Sequence, residues 1–211
     1  MRKLFALITG CLCWMAAAAE AAPLSGPALV DALSGGGFIV YFRHAGTDWS
    51  QNDQVARDGD WESCDGTRMR QLSDAGRETA RDVGRAIRAL GIPISDVFSS
   101  EYCRARETAE LLDLGPVEPT REIMNLRSAE YVGGRDAAAG RLLRYLSSAP
   151  PSGTNTVIVA HGNLVRAATG AYPGEAGAVV FRPRPGDLPE VVAEIAASDW
   201  RRLAQHHGLF E

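Results

Sequence analysis

The sequence predicts an α/β fold, a sheet flanked by helices with a β-hairpin near the C-terminus. Three observations carry that expectation. Phe38-Ile39-Val40-Tyr41-Phe42 and Thr156-Val157-Ile158-Val159-Ala160 are continuous apolar runs, the pattern of buried strands. Between them lies an amphipathic helix, with Ala80, Val83, Ile87 and Leu90 on one face. Along the whole chain, strand and helix patterns alternate and no internal repeat intervenes.

Taken in order, Gly35-Gly36-Gly37 precedes the first strand. No Lys-Ser/Thr follows it, so it reads as a turn and not as a phosphate loop. Residues 47 to 72 are polar and aperiodic, a loop long enough to be functional. Ser73 caps the amphipathic helix, and Gly91 and Pro93 end it. Val97-Phe98-Ser99-Ser100 reads as a short strand and Arg104 to Leu114 as a helix. Residues 117 to 134 are mixed, Ala137 to Leu146 is helical, and Ser152-Gly153 is a turn before the second apolar strand. Val179-Val180-Phe181 and Val191-Val192-Ala193 flank Pro-Arg-Pro-Gly-Asp and predict the hairpin.

The length of 211 residues suits one domain with a targeting segment. Arg2 and Lys3 open the chain, an apolar stretch runs from Leu4 to Ala19, and Ala19-Glu20-Ala21 offers an A-x-A cleavage site. These are the parts of a secretory signal peptide, expected over residues 1–21, with a domain over 22–211 and a periplasmic or secreted destination. The stretch is short of the roughly 20 apolar residues that span a bilayer, so stable membrane insertion is not expected. Ile8-Thr9-Gly10-Cys11 resembles a lipobox, but too few apolar residues precede it and more follow. With 45% hydrophobic and 23% charged residues and a net charge of −4, the chain can build a core and lacks the basic excess that nucleic acid requires.

Export removes Cys11 and Cys13 and leaves Cys64 and Cys103 for an oxidising compartment. One disulfide is the default, with two free thiols the alternative. The loop closed is about 40 residues, worth roughly 4 kcal/mol in the chain-entropy picture. Too few ligands surround the two cysteines for zinc, and no metal-ligand cluster is visible elsewhere.

Two histidines follow strands, His44 in Arg43-His44-Ala45-Gly46-Thr47 and His161 in Ala160-His161-Gly162. In an open α/β sheet, ligands bind beyond the carboxyl ends of the strands, so the two can share a rim. A third segment, Ser99-Ser100-Glu101-Tyr102-Cys103-Arg104, turns from a strand into a helix. An arginine in that first turn can aim its fork at the same rim.

Arg43-His44-x-x-Thr47, Ser-Ser…Arg104-Ala-x-x-Thr-Ala and the strand ending in His161-Gly162 together resemble the histidine phosphatase superfamily, branch 1, with its phosphoglycerate-mutase-like fold. Ala45 stands where many members have glycine, and Glu101 where proline is frequent. The resemblance implies a mostly parallel sheet with helices on both faces. It implies a phosphate pocket of Arg43, Arg104, His161 and Thr47 around a nucleophile, His44, that forms a phosphohistidine. The guanidiniums should disfavour the imidazolium, and a backbone carbonyl on the other ring nitrogen should fix the tautomer. No cofactor or metal is implied. The family's acid lies well past the arginine, and Glu130, followed by Gly133-Gly134, matches that interval best.

The implied activity is that of an exported phosphomonoester phosphatase acting on a phosphorylated small molecule or an envelope substrate. Two alternatives accompany it: an envelope sugar-phosphate (lipopolysaccharide core heptose) phosphatase, and a non-catalytic phospho-ligand binding protein. The loop after Thr47, with Trp49, Asn52, Arg57, Trp61, Arg68 and Arg70, is expected to choose the substrate, and His206 and His207 to lie outside the chemistry.

Overall fold

The structure is a computed structural model that describes residues 22–209; the expected leader lies outside them. Six strands form one sheet: β1 Ile39–Arg43, β2 Ile94–Ser100, β3 Val117–Thr120, β4 Asn155–Ala160, β5 Ala178–Arg182 and β6 Glu190–Ile195. Their order is β3-β2-β4-β1-β5-β6. The pairs β3–β2, β2–β4 and β4–β1 are parallel, and β1–β5 and β5–β6 are antiparallel. The sheet is therefore mostly parallel with a C-terminal hairpin, as the sequence predicted.

Alternate strand residues enter two cores. Val40, Phe42, Val157, Val159 and Val180 pack on one face with α1 Gly26–Gly35, α2 Asp74–Ala89, α3 Cys103–Leu112 and α6 Ala197–His206. Ile39, Tyr41, Ile158, Ala160 and Val179 pack on the other with α4 Arg135–Ser147 and α5 Gly162–Thr169. Both faces are covered, which is why these strands read as unbroken apolar runs instead of alternating ones.

The expected helices are present with shifted ends. Ser73 caps α2 through its side chain, accepting from the Gly76 amide at 3.0 Å. The helix carrying Arg104 begins at Cys103 and stops at Leu112, where Asp113 adopts a left-handed conformation. Four elements lacked a clear pattern: α1, α5, α6 and the edge strand β3. The loop after Thr47 is less open than its composition suggests. A bridge between Thr47 and Leu72 pinches its base, and it contains a 3-10 turn, Asp60–Glu62. Two further 3-10 segments, Arg121–Ile123 and Leu126–Val132, fill the mixed stretch before α4. Among the described residues no helix is long and apolar enough to cross a membrane.

The register sets the rim. Arg43 pairs with Ala160, and the His44 amide donates to the Ala160 carbonyl at 2.9 Å. β1 and β4 therefore end together, and each is followed by its histidine. Ser99 of β2 pairs with Val159, which brings Ser100 and the start of α3 to the same edge.

Candidate active site

His44 and His161 meet at that rim, their ring centroids 5.5 Å apart. Both are buried. The His44 Nδ1 lies 2.9 Å from the Ala45 carbonyl oxygen. A carbonyl can only accept, so the proton sits on Nδ1 and the neutral ring keeps a bare lone pair on Nε2. Burial holds the His44 pKa well below the usual histidine value. Arg104, Arg43 and Arg70 push it further down, against an upward pull from the Ala45 carbonyl. The sequence reading named only the guanidiniums as a cause; in the structure desolvation leads.

His161 is neutral for the same reasons, burial first, then Arg104, His44, Arg43 and Arg70. Its Nε2 pairs with Ser100 Oγ at 2.9 Å. The hydroxyl of Tyr41, from the middle of β1, accepts from the His161 amide at 3.0 Å and donates to the His161 carbonyl at 2.9 Å. The ring is thus held from β2 and its backbone from β1.

Arg104 enters from the first turn of α3. Thr108 ties that turn to the nucleophile's loop: its hydroxyl donates to the Arg104 carbonyl at 2.7 Å and accepts from the Ala45 amide at 3.0 Å. The Arg104 guanidinium is 1% exposed and packs over the Tyr102 ring. Its two terminal nitrogens grip Asp53, at 2.8 Å to Oδ1 and 3.0 Å to Oδ2. Arg43 contacts Glu175 at 3.3 Å and the Pro173 carbonyl at 3.4 Å. Arg70 is a third arginine at the histidines, and its guanidinium lies over the exposed Trp49 ring at 4.1 Å.

Four buried polar atoms here have no hydrogen-bond partner: Thr47 Oγ1, Arg70 Nε, Arg104 Nε and His161 Nδ1. Buried polar atoms are normally satisfied, so several orphans on neighbouring residues mark a place built for a polar ligand. Three guanidiniums beside two neutral imidazoles suit a compact dianion with bidentate oxygens, the form of a phosphoryl group.

Cys64 and Cys103 form a disulfide, with Cα atoms 5.3 Å apart. It joins the long loop to the residue before Arg104. Trp61 makes a second attachment, its indole N–H donating to Glu101 at 3.0 Å. Glu101, the departure from proline noted in the sequence, therefore anchors the loop.

The structure brings Arg43, His44, Arg104 and His161 into one cluster and places Thr47 at the mouth of the loop that covers it. Glu130 stands exposed on the segment Leu126–Val132, without a hydrogen bond or ion pair. His206 and His207 meet edge to face at the end of α6, outside the cluster. Sequence reasoning missed Asp53, Glu175, Tyr41 and the role of Ser100. The one available signal for Asp53 was a carboxylate in the loop that follows the histidine.

The family model of the histidine phosphatase superfamily (branch 1) matches residues 39–142. No curated protein matches the chain. Among solved structures, the mycobacterial glucosyl-3-phosphoglycerate phosphatase is 19% identical with a TM-score of 0.52, over 76% of this chain and 99% of its own. The protein histidine phosphatase SixA, complexed with tungstate, is 14% identical with a TM-score of 0.50, over 76% and 97%. The protein TTHB049 of Thermus thermophilus is 22% identical with a TM-score of 0.50, over 75% and 99%. At these identities the structures speak for the fold. The family match runs from β1, which delivers His44, into α4 and takes in Arg104, and by it residues 39–142 belong to the histidine phosphatase superfamily, branch 1.

Proposed function

We propose that the protein is an exported phosphomonoester phosphatase that works through a phosphohistidine on His44. The observation that carries this reading is the bare Nε2 of a buried, neutral His44 surrounded by three guanidiniums. Phosphoryl transfer needs an in-line nucleophile and positive donors on the equatorial oxygens, and it asks little more of the protein. In this reading Arg43, Arg104, His161 and Thr47 hold the phosphoryl group. Nε2 attacks phosphorus, the ester bond breaks, and water then hydrolyses the phosphohistidine without a metal. The substrate is a phosphorylated small molecule or an envelope component. Residues 22–211 form the catalytic domain behind the leader. The leader-like start supports export, and so does the Cys64–Cys103 bridge, a bond that persists in oxidising compartments.

The test is hydrolysis of p-nitrophenyl phosphate in the presence of EDTA, with wild type and His44→Ala compared, alongside acid-quench trapping of labelled phosphohistidine. Turnover and label are expected in wild type and neither in the variant. Equal turnover in the two proteins removes His44 as nucleophile. Tight phosphate binding with no turnover in wild type turns the protein into a binding module.

A further inference from the structure

We propose that Asp53 is a further catalytic residue, one that occupies the Arg104 fork in the free enzyme and protonates the leaving oxygen once substrate has displaced it. The inference rests on the phosphatase reading above. Asp53 accepts from both terminal nitrogens of Arg104, at 2.8 and 3.0 Å, and from the Arg70 amide at 3.1 Å. The two side chains are 2% and 1% exposed. Two guanidinium donors and a backbone N–H are the set that a phosphoryl group uses, so the carboxylate is a built-in stand-in for substrate.

Arg104 cannot offer the same fork to both. An incoming phosphoryl dianion takes it, and Asp53 is left beside a second negative charge. As it leaves the fork, the Asp53 carboxylate takes up a proton from solvent. That places a carboxylic acid next to the phosphoryl group, where the leaving oxygen requires a proton. The other carboxylates offer less. Glu175 is engaged by Arg43, and Glu130 stands exposed without a partner.

The loop permits the exchange. Asp53 lies between the Thr47–Leu72 bridge and the 3-10 turn, in a stretch without helix or strand, and its neighbours Asn52 and Gln54 are exposed. The disulfide and the Trp61–Glu101 bond hold the distal part of the loop in place. Gln54 is tied to the Arg68 and Thr67 carbonyls, each at 2.9 Å, so Asp53 leaves the fork by rotation of its own side chain while the loop's anchors stay made.

The steps balance. The His44 Nε2 lone pair forms the N–P bond as the ester P–O bond breaks, and the departing oxygen takes the Asp53 proton. A water molecule then attacks phosphorus and gives its proton to the Asp53 carboxylate. The N–P bond breaks with its electron pair returning to Nε2, phosphate leaves, and Asp53 gives the proton back to solvent as its carboxylate returns to the Arg104 fork.

The experiment compares wild type, Asp53→Asn, Asp53→Glu and Glu130→Gln on β-glycerophosphate and on p-nitrophenyl phosphate, whose leaving group needs no proton. Inorganic phosphate serves as the inhibitor. Asp53→Asn should lose about 100-fold or more in kcat on the alkyl ester and under about tenfold on the aryl ester. Because nothing charged then competes for Arg104, phosphate should inhibit it about tenfold more tightly. A purely structural role predicts weaker phosphate binding. Asp53→Glu keeps the acid and should hold the alkyl-to-aryl ratio near wild type, which decides the matter if the Asn variant fails to fold. Equal losses on both esters, looser phosphate binding, or a leaving-group-dependent loss in Glu130→Gln instead would overturn the proposal. A wild type that turns over neither ester overturns the phosphatase reading itself, which is a different result.

Discussion

Tyr41 looks like one more apolar residue of a buried strand, yet its hydroxyl is bonded to both backbone polar groups of His161. Burial raises its pKa far above the usual tyrosine value, so it remains a neutral hydroxyl able to donate and accept at once. Tyr41→Phe removes both bonds and leaves the His161 amide buried with no alternative acceptor. We expect a loss of about 1–3 kcal/mol in urea unfolding, with lower turnover on p-nitrophenyl phosphate as the ring loses its register. Unchanged stability would show that the bonds are incidental. The contrast with the charged residues explains what could be read at this scale. Arg43, His44, Arg104 and His161 are polar residues abutting apolar runs, and a strand end at a sheet rim is a place with a rule attached. Asp53 sits in a polar loop where any carboxylate looks solvated. Only the folded chain shows its side chain buried against Arg104.

Helix α2 shows the same division one level up. Its spacing identified a buried face, and Ala80, Val83, Ile87 and Leu90 are buried as expected. Two glycines on it have roles that no period reveals. A Cβ at Gly76 would stand 2.0 Å from the Gly46 carbonyl oxygen, in the loop that carries His44. A Cβ at Gly84 would stand 2.0 Å from the Leu112 carbonyl oxygen, at the end of α3. Both neighbours are backbone, so neither clash can be relieved by a side-chain rotation. Each Gly→Ala substitution should cost about 1–3 kcal/mol of stability. The functional outcomes should part: Gly76→Ala displaces the nucleophile's loop and lowers kcat, whereas Gly84→Ala leaves turnover near wild type below its melting temperature. Equal kcat for the two would show that the His44 loop does not depend on its seat against α2. The elements missed in the sequence were missed for physical reasons. β3 is an edge strand of four residues that includes Pro119, and α6 buries only Trp200 and Ala204 within a polar stretch.

Across the whole molecule, the sheet divides its labour. The parallel strands β2, β4 and β1 end at one rim and deliver the cluster, while the antiparallel pair β5–β6 extends the sheet on the side of β1. That division was legible, because buried parallel strands and a Pro-Gly-rich hairpin leave different patterns. The plugged state of the cluster was not, since it depends on a contact between residues on different loops and helices. Collecting charge-sensitive groups in the interior has a global consequence. His44 and His161 both have folded pKa values well below the ordinary 6.5, chiefly through burial. Below pH 6.5 the unfolded chain takes up a proton on each, and the folded protein does not until its own, lower pKa values are reached. The unfolded state then binds more protons, so stability is fully present above pH 6.5 and falls as the pH drops beneath it. The slope approaches about 1.4 kcal/mol per pH unit for each histidine. Urea unfolding without phosphate should therefore show a loss of about 2–3 kcal/mol between pH 7.5 and 5.5, and His161→Asn should show about half that dependence. A wild type equally stable at the two pH values would mean that at least one ring charges without penalty, and the neutral, bare-nitrogen nucleophile would lose its physical basis.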